Sequence, residues 1–172
     1  MAMSRKLPLF DEIARANAST IERARQTLGG SGSTDARAGR IVRDEAGVVG
    51  IVLYASEDEM HVLVGASGTV SRSKSSAWVD HDIAPPDLAA MTNDVLVFAH
   101  LESGARVGFR DRTGDHDGLL FEKCRYGALV ARDDRSIVAI GFRNLWPVTS
   151  DAAPSVARSV AFSDSTRAKN AK

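Results

Sequence analysis

From Arg40 onward the chain is cut into short apolar runs, and this chopping constrains the fold more than any other feature. The runs GRIVRD, GVVGIVLY, MHVLVG, GTVSRS, AWVDH, DVLVFAH, ARVGFRD, GLLFEK, YGALVARD, SIVAIGF and LWPVT are rich in valine, isoleucine and aromatic residues, with clusters of Gly, Asp, Asn and Ser between them. β-Branched and aromatic side chains fit a pleated, half-buried surface, and Gly, Asn and Asp supply the turns that separate strands. The pattern predicts a mainly β protein whose body, residues 38–150, is one small β-barrel or two SH3-like barrels over 38–88 and 89–150. Two prolines and a short helix-like turn in APPDLAAMTND, residues 84–94, mark the natural boundary between halves.

One stretch resembles another. GIVLYASEDEMHVLVG, residues 50–65, and GALVARDDRSIVAIG, residues 127–141, each open on glycine, run through two apolar segments around a charged turn, and close on glycine. One of the two tryptophans, Trp78 and Trp146, follows each copy. The offset between copy and tryptophan varies, however, and any two hairpins share the apolar-turn-apolar pattern, so a fixed repeat period is not evident.

The segment before the body reads as one amphipathic helix. Phe10, Ala14, Asn17, Ile21, Ala24 and Leu28 follow at steps of four and three, which lines one helical face. Gly29 and Gly30 end it, and the Ser19/Glu22 pair forms a capping-box pattern where it can restart. GGSGSTDARAG then has flexible-linker composition, so residues 1–37 read as a tethered helix, with Phe10, Ile21 and Leu28 available to a partner or to a second copy of the chain. Residues 151–172 are small, polar and basic, and read as a mobile tail.

The 22 basic and 22 acidic residues balance, so no global field draws the chain to nucleic acid or to a membrane. It holds no apolar run of membrane-spanning length, and acids interrupt its N-terminus where an export signal would be apolar; the expectation is a soluble, cytoplasmic protein. A single cysteine, Cys124, forms no internal disulfide and reads as a buried, inert thiol.

Three groups of residues are candidates for chemistry. If ARVGFRDR is a strand, Arg106, Arg110 and Arg112 share one face, and with Phe109 or Tyr126 as a stacking platform they would grip phosphates or an acidic partner. The competing reading is a solvated face whose arginines are paired with Asp111, Glu122 and the Asp133, Asp134 turn. The triplet Asp80, His81, Asp82 and the triplet Asp115, His116, Asp117 offer metal-ligand side chains, but alternate residues of an extended chain point to opposite sides, and no recognised ligand spacing surrounds them. His61 and His100 read as strand residues at a sheet surface. No nucleophile elbow, phosphate loop, dinucleotide fingerprint or paired-cysteine site is present, so no catalytic residue and no cofactor is assigned.

The expected function is that of a non-enzymatic binding or adaptor protein that holds a protein partner through a strand edge or the arginine face, with the helix as a second contact. The alternatives are a nucleic-acid-binding accessory or regulatory protein using the arginine stripe, and a metal-dependent hydrolase using the two Asp-His-Asp triplets.

Overall fold

The computed structural model describes residues 2–32 and 35–148; the expected tail at 151–172 lies outside them. Helices α1 (Ala2–Ala16) and α2 (Ala18–Thr27) lead into strands β1 (Ile41–Arg43), β2 (Val49–Ala55), β3 (Glu59–Val64), β4 (Thr69–Lys74) and β5 (Val79–Asp80). Helix α3 (Pro86–His100) leads into β6 (Arg106–Asp111), β7 (Gly114–Lys123), β8 (Gly127–Ala131), β9 (Ile137–Gly141) and β10 (Leu145–Pro147). A 3-10 turn precedes the last strand of each set, at Ser75–Ala77 and at Phe142–Asn144.

The strands form two antiparallel sheets, ordered β4-β3-β2-β1-β5 and β10-β6-β7-β8-β9, and neither closes into a barrel. The mainly β expectation therefore holds, the closed barrel does not, and the single N-terminal helix is replaced by three helices. The expected helix breaks at Asn17, whose carboxamide donates to the Ile13 carbonyl at 2.9 Å and to the Arg135 carbonyl at 3.0 Å. The run DVLVFAH, expected as a strand, is the second half of α3. Its β-rich composition is overridden by a longer helical period: Leu88, Met91, Val95 and Phe98 recur at steps of three and four, all four are buried, and Pro86 sits in the first turn, where its missing N–H costs nothing.

The two halves are copies of one repeat. Both sheets run last strand, first, second, third, fourth. Shifting the first half by 68 positions lays the β2–β3 hairpin on β7–β8, with Gly50 on Gly118, Val52 on Leu120, Tyr54 on Glu122 and Val62 on Val130; the bulge that skips Leu53 falls on the bulge that skips Phe121. The backbone bonds outside the strands repeat too. Gly39 N–H donates to Val52 O at 2.8 Å as Gly104 N–H does to Leu120 O at 2.7 Å, and Ser75 N–H donates to Asp58 O at 3.1 Å as Phe142 N–H does to Tyr126 O at 3.0 Å. Gly39 and Gly104 both turn the chain in the left-handed region, with φ of 86° and 89°. The stretches 50–65 and 127–141 are not the equivalent pair: the first is β2–β3 and the second β8–β9, one hairpin out of step, so their likeness is the apolar-turn-apolar pattern common to hairpins.

The apolar core follows the repeat. Inside the first sheet lie Val42, Val52, Met60, Val62 and Trp78; their counterparts in the second are Val107, Leu120, Ala128, Val130 and Leu145. The opposite faces are covered by helices. Helix α3, which introduces the second repeat, packs with Ile51, Leu53 and Leu63 of the first sheet. Helices α1 and α2, which introduce the first repeat, cover the equivalent Leu119, Phe121 and Ala131 of the second, where Ile13, Ile21, Ala24 and Leu28 are buried and the Phe10 ring lies 5.1 Å from that of Phe121. The seam through Ile21 and Leu28 is therefore spent on the chain's own second sheet. The segment that follows it is also fixed to the body: Gly30 O accepts from Arg125 N at 3.0 Å, Leu28 O accepts from Tyr126 N at 3.0 Å, and Ser31 bridges to Cys124.

Candidate functional site

The β6–β7 register decides what the arginine stripe is. Pairing Arg110 with Asp115 across the strands puts an acid beside each of two arginines: Arg110 Nε lies 2.7 Å from Asp115 Oδ1 and Arg106 Nη2 lies 3.7 Å from Asp117 Oδ2. Arg112 is exposed in the turn beyond β6. Phe109 is 0% exposed, in the core, so it offers no face to a base. Tyr126 belongs to a different place, its hydroxyl 2.8 Å from Nδ1 of His61. These five residues share no common surface.

The two Asp-His-Asp triplets sit on different sheets, in the segment from β5 onward and in β7. Asp80 lies 3.8 Å from Arg40 Nη1, while His116 Nε2 lies 3.1 Å from Asp111 Oδ1 and 2.7 Å from Thr113 Oγ1. With Asp115 and Asp117 occupied by arginines, the second triplet serves β6–β7 pairing. Among the described residues no three His, Cys, Asp or Glu side chains gather where they could hold a metal ion.

His61, expected at a surface, is 0% exposed. It occupies the joint between repeats, with its ring against Tyr54 and Tyr126. Its Nε2 faces Glu59 Oε1 at 2.9 Å, off the axis of a hydrogen bond. Burial pushes the imidazole pKa down; the Glu59 carboxylate pulls it up, and Arg72 and Arg125 push it down again. Glu59 in turn is held below the usual carboxylate range, chiefly by His61 and then by Arg72. The Arg125 guanidinium lies over the Tyr54 ring, 4.8 Å from its centroid. Alternation along β3 puts His61 on the face shared by Leu63, the face covered by α3 and Tyr126, and this depended on a partner from the other repeat. The imidazole is thus sealed from solvent between the two repeats.

Cys124 is buried as expected, and burial, reinforced by the neighbouring Glu122 carboxylate, pushes its thiol up to about 11. Glu122 is bound by Arg25 through two bonds of 2.8 Å, an ion pair that clamps α2 to the second sheet.

The surface features that repeat are two grooves beside the 3-10 turns. The first, about 280 Å³, is lined by Arg43, Asp44, Glu45, Gly47, Ser76, Ala77 and Val79. The second, about 360 Å³, is lined at the equivalent turn and strand by Arg143, Asn144 and Trp146, by Arg110, and by Asn93, Asp94 and Val97 of α3. In β10 the Trp146 indole lies across Gly108 of β6, its cross-strand neighbour, where any Cβ would collide with the ring. In the first repeat the same pair is Val79 beside Arg43. The grooves differ in one respect: α3 walls the second and no described helix walls the first. Of the four large apolar side chains exposed among the described residues, Val48, Val79 and Ile83 lie in the β1–β2 hairpin, in β5 and just beyond it; Val79 is 56% exposed. Sequence alone missed this site because it consists of a position left uncovered, which only comparison of the two repeats reveals.

Comparison with known proteins finds no matching family model and no matching curated sequence. Among the described residues no helix is long and apolar enough to cross a membrane.

Proposed function

We propose that this chain is a non-enzymatic binding module that engages a protein partner through the outer surface of its first repeat, formed by the β1–β2 hairpin, the Ser75–Ala77 turn and β5. The observation that carries the reading is the asymmetry between copies: one surface is walled by α3, while its counterpart presents Val79 and the groove around it. Exposed apolar groups rimmed by charge, here Arg43 and Glu45, are the composition of an interaction site. The paired arginines and the buried Phe109 lend no comparable support to nucleic-acid binding, nor do the separated triplets to metal-dependent hydrolysis.

The test is a photo-crosslinking residue placed at Val79, with a second at Thr113 as an exposed control, in the cells that produce the protein. The expected outcome is a defined adduct from position 79 alone. Equal or absent crosslinking at the two positions refutes the reading, and salt-sensitive binding of labelled oligonucleotides that is lost in Arg106→Glu/Arg110→Glu would put the nucleic-acid alternative in its place.

A further inference from the structure

Resting on that reading, we infer that the segment captured by the first repeat is an amphipathic α-helix, laid along the Ser75–Ala77 turn and β5 as α3 is laid along Phe142–Asn144 and β10. The chain carries its own template for the complex. In the second repeat α3 packs against the turn and β10, with Phe98 and Phe142 ring centroids 6.1 Å apart, Asp94 Oδ2 3.1 Å from Arg143 Nε, and Val97 lining the groove with Trp146.

The receiving backbone is the same in both copies. The residues flanking the first turn, Lys74 and Trp78, have φ/ψ of −66°/144° and −122°/142°; those flanking the second, Gly141 and Leu145, have −64°/151° and −122°/141°. A shift of 67 positions here places Ser76 on Arg143, Ala77 on Asn144 and Val79 on Trp146, so a helix meets the same rail in either repeat.

The helix that would fill the place by symmetry is held elsewhere. Helix α2 is the counterpart of α3, but the chain from α2 to β1 runs over 28–40, whereas that from α3 to β6 runs only over 101–105. The longer connection lets α2 stay on the second sheet, clamped by the Arg25–Glu122 pair and by the Leu28–Tyr126 backbone bond. Ser76, Ala77 and Val79 remain exposed.

Side-chain chemistry sets the kind of helix. Ser76 and Ala77 are small where Arg143 and Asn144 are large, so the incoming helix approaches closely and brings bulk of its own as branched aliphatic side chains against Val79. The cation that meets Asp94 in the template is absent from the turn, but Arg43, the cross-strand neighbour of Val79, is exposed and makes no ion pair with the described residues. The groove also carries Asp44, whose carboxylate accepts from the Val48 N–H at 2.8 Å, and Glu45, so the partner helix carries an aliphatic stripe against Val79 with a carboxylate placed toward Arg43 and away from these acids, a helix-in-groove mode of recognition.

The probe is a lactam-bridged, fluorescein-labelled peptide with the sequence of residues 86–100, titrated by anisotropy against the full chain. The expected result is saturable binding, weakened about tenfold or more by Val79→Asp in the protein and by Ala90→Pro in an unbridged peptide, as for loss of a central anchor. Arg43→Glu should weaken the parent peptide and favour one carrying Asp94→Lys. Unchanged melting of Val79→Asp shows that any loss is local. Failure to saturate, or saturation indifferent to Val79→Asp, overturns the inference. If position 79 still crosslinks a protein while the helical peptide fails, the helix is refuted and the binding surface stands; if both fail, both readings fall.

Discussion

Replacing His61 with leucine makes the first repeat copy the second, because Leu129 holds the equivalent position. Near neutral pH the imidazole is uncharged. With its proton on Nε2, facing Glu59, Nδ1 accepts from the Tyr126 hydroxyl. The leucine variant loses that bond, worth about 1 kcal/mol, and gains a similar amount from apolar burial, so at pH 7.5 the two proteins should agree to within about 1 kcal/mol. Below that they diverge. Burial lowers the folded-state pKa of His61 beneath its unfolded value. As pH falls through about 6.5 the unfolded chain takes up a proton that the folded chain refuses, so stability declines with a slope of at most about 1.4 kcal/mol per pH unit until the folded pKa is reached. His61→Leu removes that slope. Because His61 also holds the Glu59 carboxylate down, its loss adds a second difference of the same sign in the carboxylate range, so the histidine slope is read between pH 7.5 and 5.5. Urea unfolding followed by tryptophan fluorescence at pH 7.5, 6.5, 5.5 and 4.5 measures it directly. Parallel curves for the two proteins over this range would refute the burial argument.

Three further outcomes follow from the geometry. Gly127→Ala would drive a Cβ into the Ile140 carbonyl and to within 2.9 Å of Gly141 Cα. Because backbone has to yield, the cost should be about 2–3 kcal/mol, whereas Gly141→Ala, which points into open space, should stay within about 0.5 kcal/mol; urea midpoints compare them. Lys123 donates to the Phe98 and Ala99 carbonyls at 2.9 and 3.2 Å and lies over the Phe98 ring, so Lys123→Ala uncaps the end of α3 and should lower stability by about 1–2 kcal/mol in the same assay. Cys124, with its thiol pushed up to about 11, should fail to react with an aromatic disulfide reagent at pH 8 in the folded protein and react fully in denaturant; ready reaction in the native state would contradict its burial.

The strand runs from GRIVRD to LWPVT were legible because a pleated strand is short, local and marked by its own turn residues, and all but DVLVFAH form strands where expected. DVLVFAH misled because a strand and the inner half of a buried helix have the same composition; the helix is visible only once Leu88 and Met91 are counted with Val95 and Phe98. That the stripe is paired with acids was one of two readings, but with Asp111, Glu122, Asp133 and Asp134 as the expected partners; the β6–β7 register supplies Asp115 and Asp117 to Arg110 and Arg106 instead. His61 and the groove at Val79 were illegible for one reason: each is defined by what another repeat places, or fails to place, against it.

The sequence by itself determined the strand runs other than DVLVFAH, the apolar seam through Ile21, Ala24 and Leu28, and a buried Cys124, because periodicity, turn chemistry and a lone thiol act over a few residues. Tertiary structure alone decided that two five-stranded sheets repeat, that α2 lies on the second sheet while α3 packs against both, that His61 is sealed beneath Tyr126 and that Val79 is left bare. Those outcomes depend on burial between segments distant in the chain, where the free energy comes from apolar surface removed from water and carries no local mark in the order of the amino acids.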